Sequence, residues 1–146
     1  MKTVLRQFLS DFRNPDGYAG CIFSSDFIGQ IPSKKGVYII VSDHQKFIYP
    51  NGESKVIYIG TSDNLFLRLN SHQKISVALK QTKISERIYD WHYSRYQYIA
   101  KFGGNVFWFT TRGTQTKKVL EEDILDRFYN RFLALPVGNG AFSFGN

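Results

Sequence analysis

Gly36-Val37-Tyr38-Ile39-Ile40-Val41 and Lys55-Val56-Ile57-Tyr58-Ile59-Gly60 are the stretches that decide the fold. Both are rich in β-branched and aromatic residues, so each predicts a strand. The run 36–41 is apolar at nearly every position. That implies burial on both faces, and so helices on both sides of the sheet. Tyr38 and Tyr58 sit on neighbouring extended segments, each opposite in direction to its Ile39 or Ile59 neighbour. In the expected register both phenols reach one face. Core packing is the ordinary role of a strand tyrosine, so neither is informative alone.

Working outward, 46–49 and 55–59 read as further strands, with Pro50-Asn51-Gly52 between them as a hairpin turn. Ser62-Asp63-Asn64 offers an N-cap, and a helix follows through Leu65, Arg68, Leu69 and His72. A second helical stretch is predicted over 84–102, stopping at Gly103-Gly104. Next come a strand over 106–110 and a long helix over 118–133. Pro136 and a Gly138-Asn139-Gly140 turn follow. On the other side, Val4, Leu5, Phe8, Leu9 and Phe12 recur at helical spacing. This N-terminal amphipathic helix ends at Asn14-Pro15-Asp16-Gly17, and a loop runs on to Pro32. Strands alternating with helices predict an α/β or α+β fold on a small antiparallel or mixed sheet, with an extra hairpin.

The chain has 146 residues, enough for one domain with a real core. Hydrophobic content of 42% and aromatic content of 16% exclude a disordered chain. The formal charge of +7 favours a polyanionic partner, nucleic acid or an anionic membrane surface, with solubility alone as the bland alternative. Cys21 is the only cysteine, so neither an intrachain disulfide nor a thiolate zinc cluster can be built. His44, His72 and His92 form no metal-spaced motif. No stretch is apolar enough to span a membrane, and Arg6, Asp11 and Arg13 interrupt any signal-like core. A soluble, cytoplasmic protein is expected.

Residues advance by about 100° around an α-helix. On the last helix this puts Leu120, Ile124, Leu125, Phe128 and Phe132 on one face, with Glu121 near its middle. A carboxylate there needs a partner, such as a cation or a buried Arg. Glu121 is therefore the candidate metal ligand; a slightly rotated helix would instead leave it at a solvated edge. Arg68 and His72, four apart, share a helix face at the rim of the Leu65 and Leu69 stripe. A guanidinium there suits a phosphate, and an imidazole suits hydrogen bonding or proton transfer near neutral pH. Solvated Arg and half-buried His are the ordinary alternatives. Arg95 projects into the apolar face of its helix among Ile88, Trp91, Tyr98 and Ile99, and should need a buried partner, a carboxylate for preference. Tyr89, Tyr93 and Tyr96 line the opposite side, as buried packing or as a stacking platform for bases.

Taken as an ordered set, these residues resemble the GIY-YIG nuclease superfamily. Gly36-Val37-Tyr38 and Tyr58-Ile59-Gly60 resemble its paired tyrosine strands. Arg68, with His72 one turn later, resembles its helical Arg and following His or Tyr. Glu121 with Ile124 and Leu125 resembles its helical Glu, and Pro136-Val137-Gly138-Asn139 loosely resembles its closing Pro-x-Tyr-Asn segment. The match spans 34–139, leaving 1–33 as an N-terminal extension of a single domain over 1–146. Val37 stands for Ile, Gly138 stands where Tyr is common, and the intervals between the tyrosine motifs and from Glu121 to Asn139 are longer than usual.

The resemblance implies a divalent-metal-dependent endonuclease hydrolysing DNA phosphodiesters, of repair, restriction, mobile-element or toxin type. RNA stays open as a substrate and a homodimer as an assembly. It further implies Mg²⁺ or Mn²⁺ on Glu121, Arg68 stabilising the transition state, and Tyr38 activating the water. Tyr58 and His72 would orient the water or relay its proton, and Asn139 would position the loop. Lys34, Lys35, Arg112, Lys117 and Lys118 are basic residues near these motifs that could neutralise phosphates. The competing possibilities are a catalytically inactive nucleic-acid-binding module of this fold, and a structural protein in which Glu121 and Arg68 pair with each other.

Overall fold

The computed structural model describes residues 19–24, 27–81, 94–111 and 114–140. The N-terminal helix and turn expected before residue 18, the first part of the 84–102 helix with Tyr89 and Tyr93, and Arg112 lie outside the described residues.

The strands are β1 (Ala19–Cys21), β2 (Gly36–Val41), β3 (Phe47–Tyr49), β4 (Gly52–Ser54), β5 (Val56–Ser62) and β6 (Asn105–Thr110). The helices are α1 (Leu65–Gln81), α2 (Ser94–Phe102), α3 (Thr114–Phe132) and the single turn α4 (Val137–Gly140), with a 3₁₀ turn at Ile28–Gln30. The main sheet is antiparallel in the order β1-β6-β2-β5, and β3 pairs with β4 in a separate ribbon. The fold is therefore mixed α and β. Among the described residues no helix is long and apolar enough to cross a membrane.

Every residue of β2 is buried, as its unbroken apolar run requires. Tyr38 pairs with Gly60 on one side and Trp108 on the other, and Tyr58 stands opposite Ile40. Alternation along the strands puts Tyr38, Tyr58 and Gly60 on one face. Helices α1 and α2 lie on that face. Leu65 crowds Gly36, His72 meets Tyr38, and Ile99 approaches Gly104 beside Ile40. Helix α3 packs on β2 and β5, and its Glu121 bonds to Thr61, which alternation places on the opposite face. Gly36 is required because a Cβ there would lie 2.3 Å from the Phe109 carbonyl oxygen.

Helix α1 begins as its cap residues dictate: the Asn64 side-chain oxygen accepts from the Leu67 N–H at 3.1 Å. Helix α2 ends with Gly103 in the left-handed region at φ 80°, its N–H bonded to the Ile99 carbonyl at 2.9 Å.

The structure departs from expectation in four places. First, β1 lies where a loop was expected, because Ala19-Gly20-Cys21 carries no strand signal and owes its conformation to pairing with β6. Second, the partner of β3 across the Pro50-Asn51 turn is β4, not the Tyr58 strand, so the hairpin stands apart from the main sheet. It docks on the end of α3: the Asn51 amide donates to the Arg131 carbonyl at 3.1 Å, and Arg131 donates back to the Asn51 carbonyl at 2.9 Å. Third, α3 starts at Thr114 rather than 118. Fourth, the closing turn is one turn of helix, α4.

Candidate functional site

Tyr38 is fully buried, and its hydroxyl lies 2.8 Å from His72 Nε2. Arg68 Nε donates to the same hydroxyl at 3.3 Å. A guanidinium can only donate, so the phenol oxygen accepts from Arg68 and its hydrogen goes to His72. The neutral imidazole then carries its own proton on Nδ1, an atom without a hydrogen-bond partner among the described residues. Burial, and then the Arg68 and Arg95 cations, push the His72 pKa down to about 3. The sequence places His72 at a rim and suits it to hydrogen bonding or proton transfer near neutral pH; the structure shows the hydrogen bond. His72 is instead fully buried and neutral, an acceptor that orients Tyr38.

The base role that the resemblance implies for Tyr38 meets the same obstacle. Burial raises its pKa far above the ordinary phenol value; Tyr58 adds to the rise, and Arg68 only partly opposes it. The group stays protonated and shut away from water. Its work is to hold Arg68, which is otherwise exposed.

Tyr58 differs. It is half-buried, and its hydroxyl has no hydrogen bond among the described residues. Its ring lies 5.9 Å from both Tyr38 and His72, centroid to centroid. The Arg95 guanidinium sits over it at 4.2 Å. The sequence favours a carboxylate as the partner of Arg95; its guanidinium also lies over the rings of Tyr58 and Tyr96. Tyr96 closes the cluster 5.0 Å from His72 and is buried. Gly60 makes the arrangement possible, since a Cβ there would lie 2.7 Å from both the Tyr38 hydroxyl oxygen and Tyr58 Cε1.

Glu121 is half-buried on the α3 stripe that also holds Lys117, Ile124, Phe128 and Phe132. Burial raises its pKa; the Thr61 hydroxyl, which donates to it, and the Lys117 ammonium pull the other way. Among the described residues no ion pair joins it to Arg68, the pairing expected of a purely structural role. A single half-buried carboxylate beside a hydroxyl fits a hard divalent ion that keeps most of its waters. Among the described residues no group of three or more His, Cys, Asp or Glu that could hold a metal ion is assembled.

Lys117 is not the phosphate contact that its sequence position suggests. It is 7% exposed, and its ammonium lies 2.8 Å from Asp63 Oδ1. The Lys117 ammonium, followed by the charges of Lys35 and Lys118, holds the exposed Asp63 carboxyl below its usual range. Lys35 and Lys118 thus gather at this end of the molecule. Lys34 is exposed there too, while its carbonyl accepts from the Leu65 N–H at 2.9 Å.

Asn139 bonds both backbone groups of Ile59. Its Oδ1 accepts from the N–H and its Nδ2 donates to the carbonyl, each at 2.9 Å. Since β5 is the outer strand, this side chain acts as a short stretch of neighbouring strand beside Tyr58. Gly138 has no room for the aromatic common at that position in the resembling family, because a Cβ would lie 2.6 Å from the Ile57 carbonyl oxygen. Two participants escape sequence reasoning. Thr61 looks like one more strand residue, and Asp63 looks like part of a helix cap. Compared with models of protein families and with curated proteins, the chain matches none.

Proposed function

We propose that the protein is a divalent-metal-dependent endonuclease of the GIY-YIG type that hydrolyses phosphodiesters in DNA. The observation that carries this reading is the hydrogen-bonded series from Arg68 through Tyr38 to His72, on the sheet face that also holds the Tyr58 hydroxyl, which has no hydrogen bond among the described residues. A buried series that aims an exposed guanidinium is costly to build for packing alone. It suits a fixed cation waiting for a phosphate.

Arg68 is anchored through Nε, which leaves its terminal nitrogens to donate to non-bridging phosphate oxygens as negative charge develops. Tyr58, rather than Tyr38, supplies the phenol that accepts a hydrogen bond from the attacking water and orients it. Tyr38 and His72 hold Arg68 and exclude water beneath it. Asn139 fixes β5 at Ile59 and so fixes the backbone next to Tyr58. Glu121 would hold Mg²⁺ or Mn²⁺, with Thr61 orienting its carboxylate. When bound, the ion would supply positive charge to a phosphate reached from the α3 side of the sheet, across from Arg68 and Tyr58. Lys34, Lys35 and Lys118 lend charge to the flanking phosphates.

The test is cleavage of labelled single-stranded, duplex and branched DNA, and of matching RNA, with Mg²⁺ or with EDTA. Wild type is expected to cut in Mg²⁺ alone, and Glu121→Ala not to cut. Tight binding without any cutting by well-folded wild type would instead identify a non-catalytic binding module.

A further inference from the structure

Lys117 stands out because it reverses the usual order of an ion pair. The Lys117 side chain is the buried partner, at 9% exposure, and the Asp63 side chain is the exposed one, at 70%. Helical spacing puts Lys117 on the same face of α3 as Glu121, one turn earlier. From there it crosses to Asp63, between β5 and α1, two residues after the Thr61 that bonds Glu121. One ammonium is therefore paired with the Asp63 carboxylate and lies one helical turn from the Glu121 carboxylate. Each of those carboxylates feels its charge.

We infer that Lys117 is a built-in counter-cation that occupies the field of Glu121 when no divalent ion is bound, and that the Lys117 to Asp63 pair sets how tightly the ion is held. This rests on Glu121 being the metal ligand. A long flexible side chain with a compact charge suits the task, because it can lean toward either carboxylate without leaving its buried stem. When an ion arrives at Glu121, like charges repel, and the ammonium is held on Asp63 alone.

The measurement is Mn²⁺ affinity of the full chain without nucleic acid, read by calorimetry and by the electron paramagnetic resonance signal of free Mn²⁺. Lys117→Met is expected to tighten Mn²⁺ binding by about tenfold, the effect of removing one positive charge at close range. Lys118→Met removes the same charge from an exposed neighbour and is expected to change the affinity by less than about twofold. Asp63→Asn removes the charge but keeps an amide oxygen that can accept from the buried ammonium; it turns that charge toward Glu121 and, in folded protein, is expected to weaken binding severalfold. Unchanged or weaker binding in folded Lys117→Met, an equal effect of Lys118→Met, or unchanged binding in Asp63→Asn would each overturn the inference. Equal Mn²⁺ affinity in wild type and Glu121→Gln is a different failure, because it would remove Glu121 as the ligand.

Discussion

Tyr38 and Tyr58 look equivalent in the sequence, and the structure separates them. Tyr38→Phe removes the donor to buried His72 and the acceptor for Arg68. It is expected to lower stability by about 1–3 kcal/mol, measured by denaturant unfolding. Tyr58→Phe removes a hydroxyl that has no hydrogen bond among the described residues and should leave stability within about 0.5 kcal/mol of wild type. The neutral state of His72 gives a signed pH effect. Its folded pKa of about 3 lies below the unfolded value of about 6.5, so between these limits the unfolded chain binds the extra proton. The contribution of His72 is fully present above about pH 6.5 and is lost as pH falls toward 3, with a slope of up to about 1.4 kcal/mol per pH unit. His72→Gln retains an acceptor for Tyr38 and is expected to flatten the wild-type stability profile between about pH 6.5 and 5, before carboxylates titrate. An unchanged slope would mean that His72 is protonated in the fold.

At the scale of elements, the site depends on close approaches to the outer strand. Gly60→Ala would press a methyl group into both tyrosines. It is expected to cost about 1–3 kcal/mol and to abolish cutting even where the protein remains folded. Asn139→Ala would unseat α4 from the edge of β5, and exchange of the buried Ile59 amide proton should accelerate by about tenfold or more. Much of this level is legible in the sequence. The two tyrosine strands, the capped start of α1, the glycine stop of α2 and the carboxylate on the apolar stripe of α3 all follow from local pattern. The exceptions have a common cause. Strand β1, the pairing of β3 with β4, the burial of His72 and the Lys117 to Asp63 pair are all set by partners distant in sequence, which periodicity does not encode.

At the scale of the whole molecule, a net charge of +7 and the lysines around Asp63 and Glu121 would contribute electrostatically to the nucleic-acid binding proposed above. The salt dependence of DNA affinity distinguishes the lysines. Lys34→Ala and Lys118→Ala should each reduce the slope of log affinity against log salt by about 1, as lost phosphate contacts do. Lys117→Ala should leave that slope unchanged, because its ammonium is already committed to Asp63. The overall chemistry turns on which phenol meets the water. The decisive comparison is the initial rate of Mg²⁺-dependent DNA cleavage by Tyr58→Phe and Tyr38→Phe at equal folded fraction. Tyr58→Phe is expected to lose about a hundredfold, the scale of a misplaced attacking group, while Tyr38→Phe retains the larger share of its rate. Full activity in Tyr58→Phe, with cleavage abolished in folded Tyr38→Phe, would contradict the assignment.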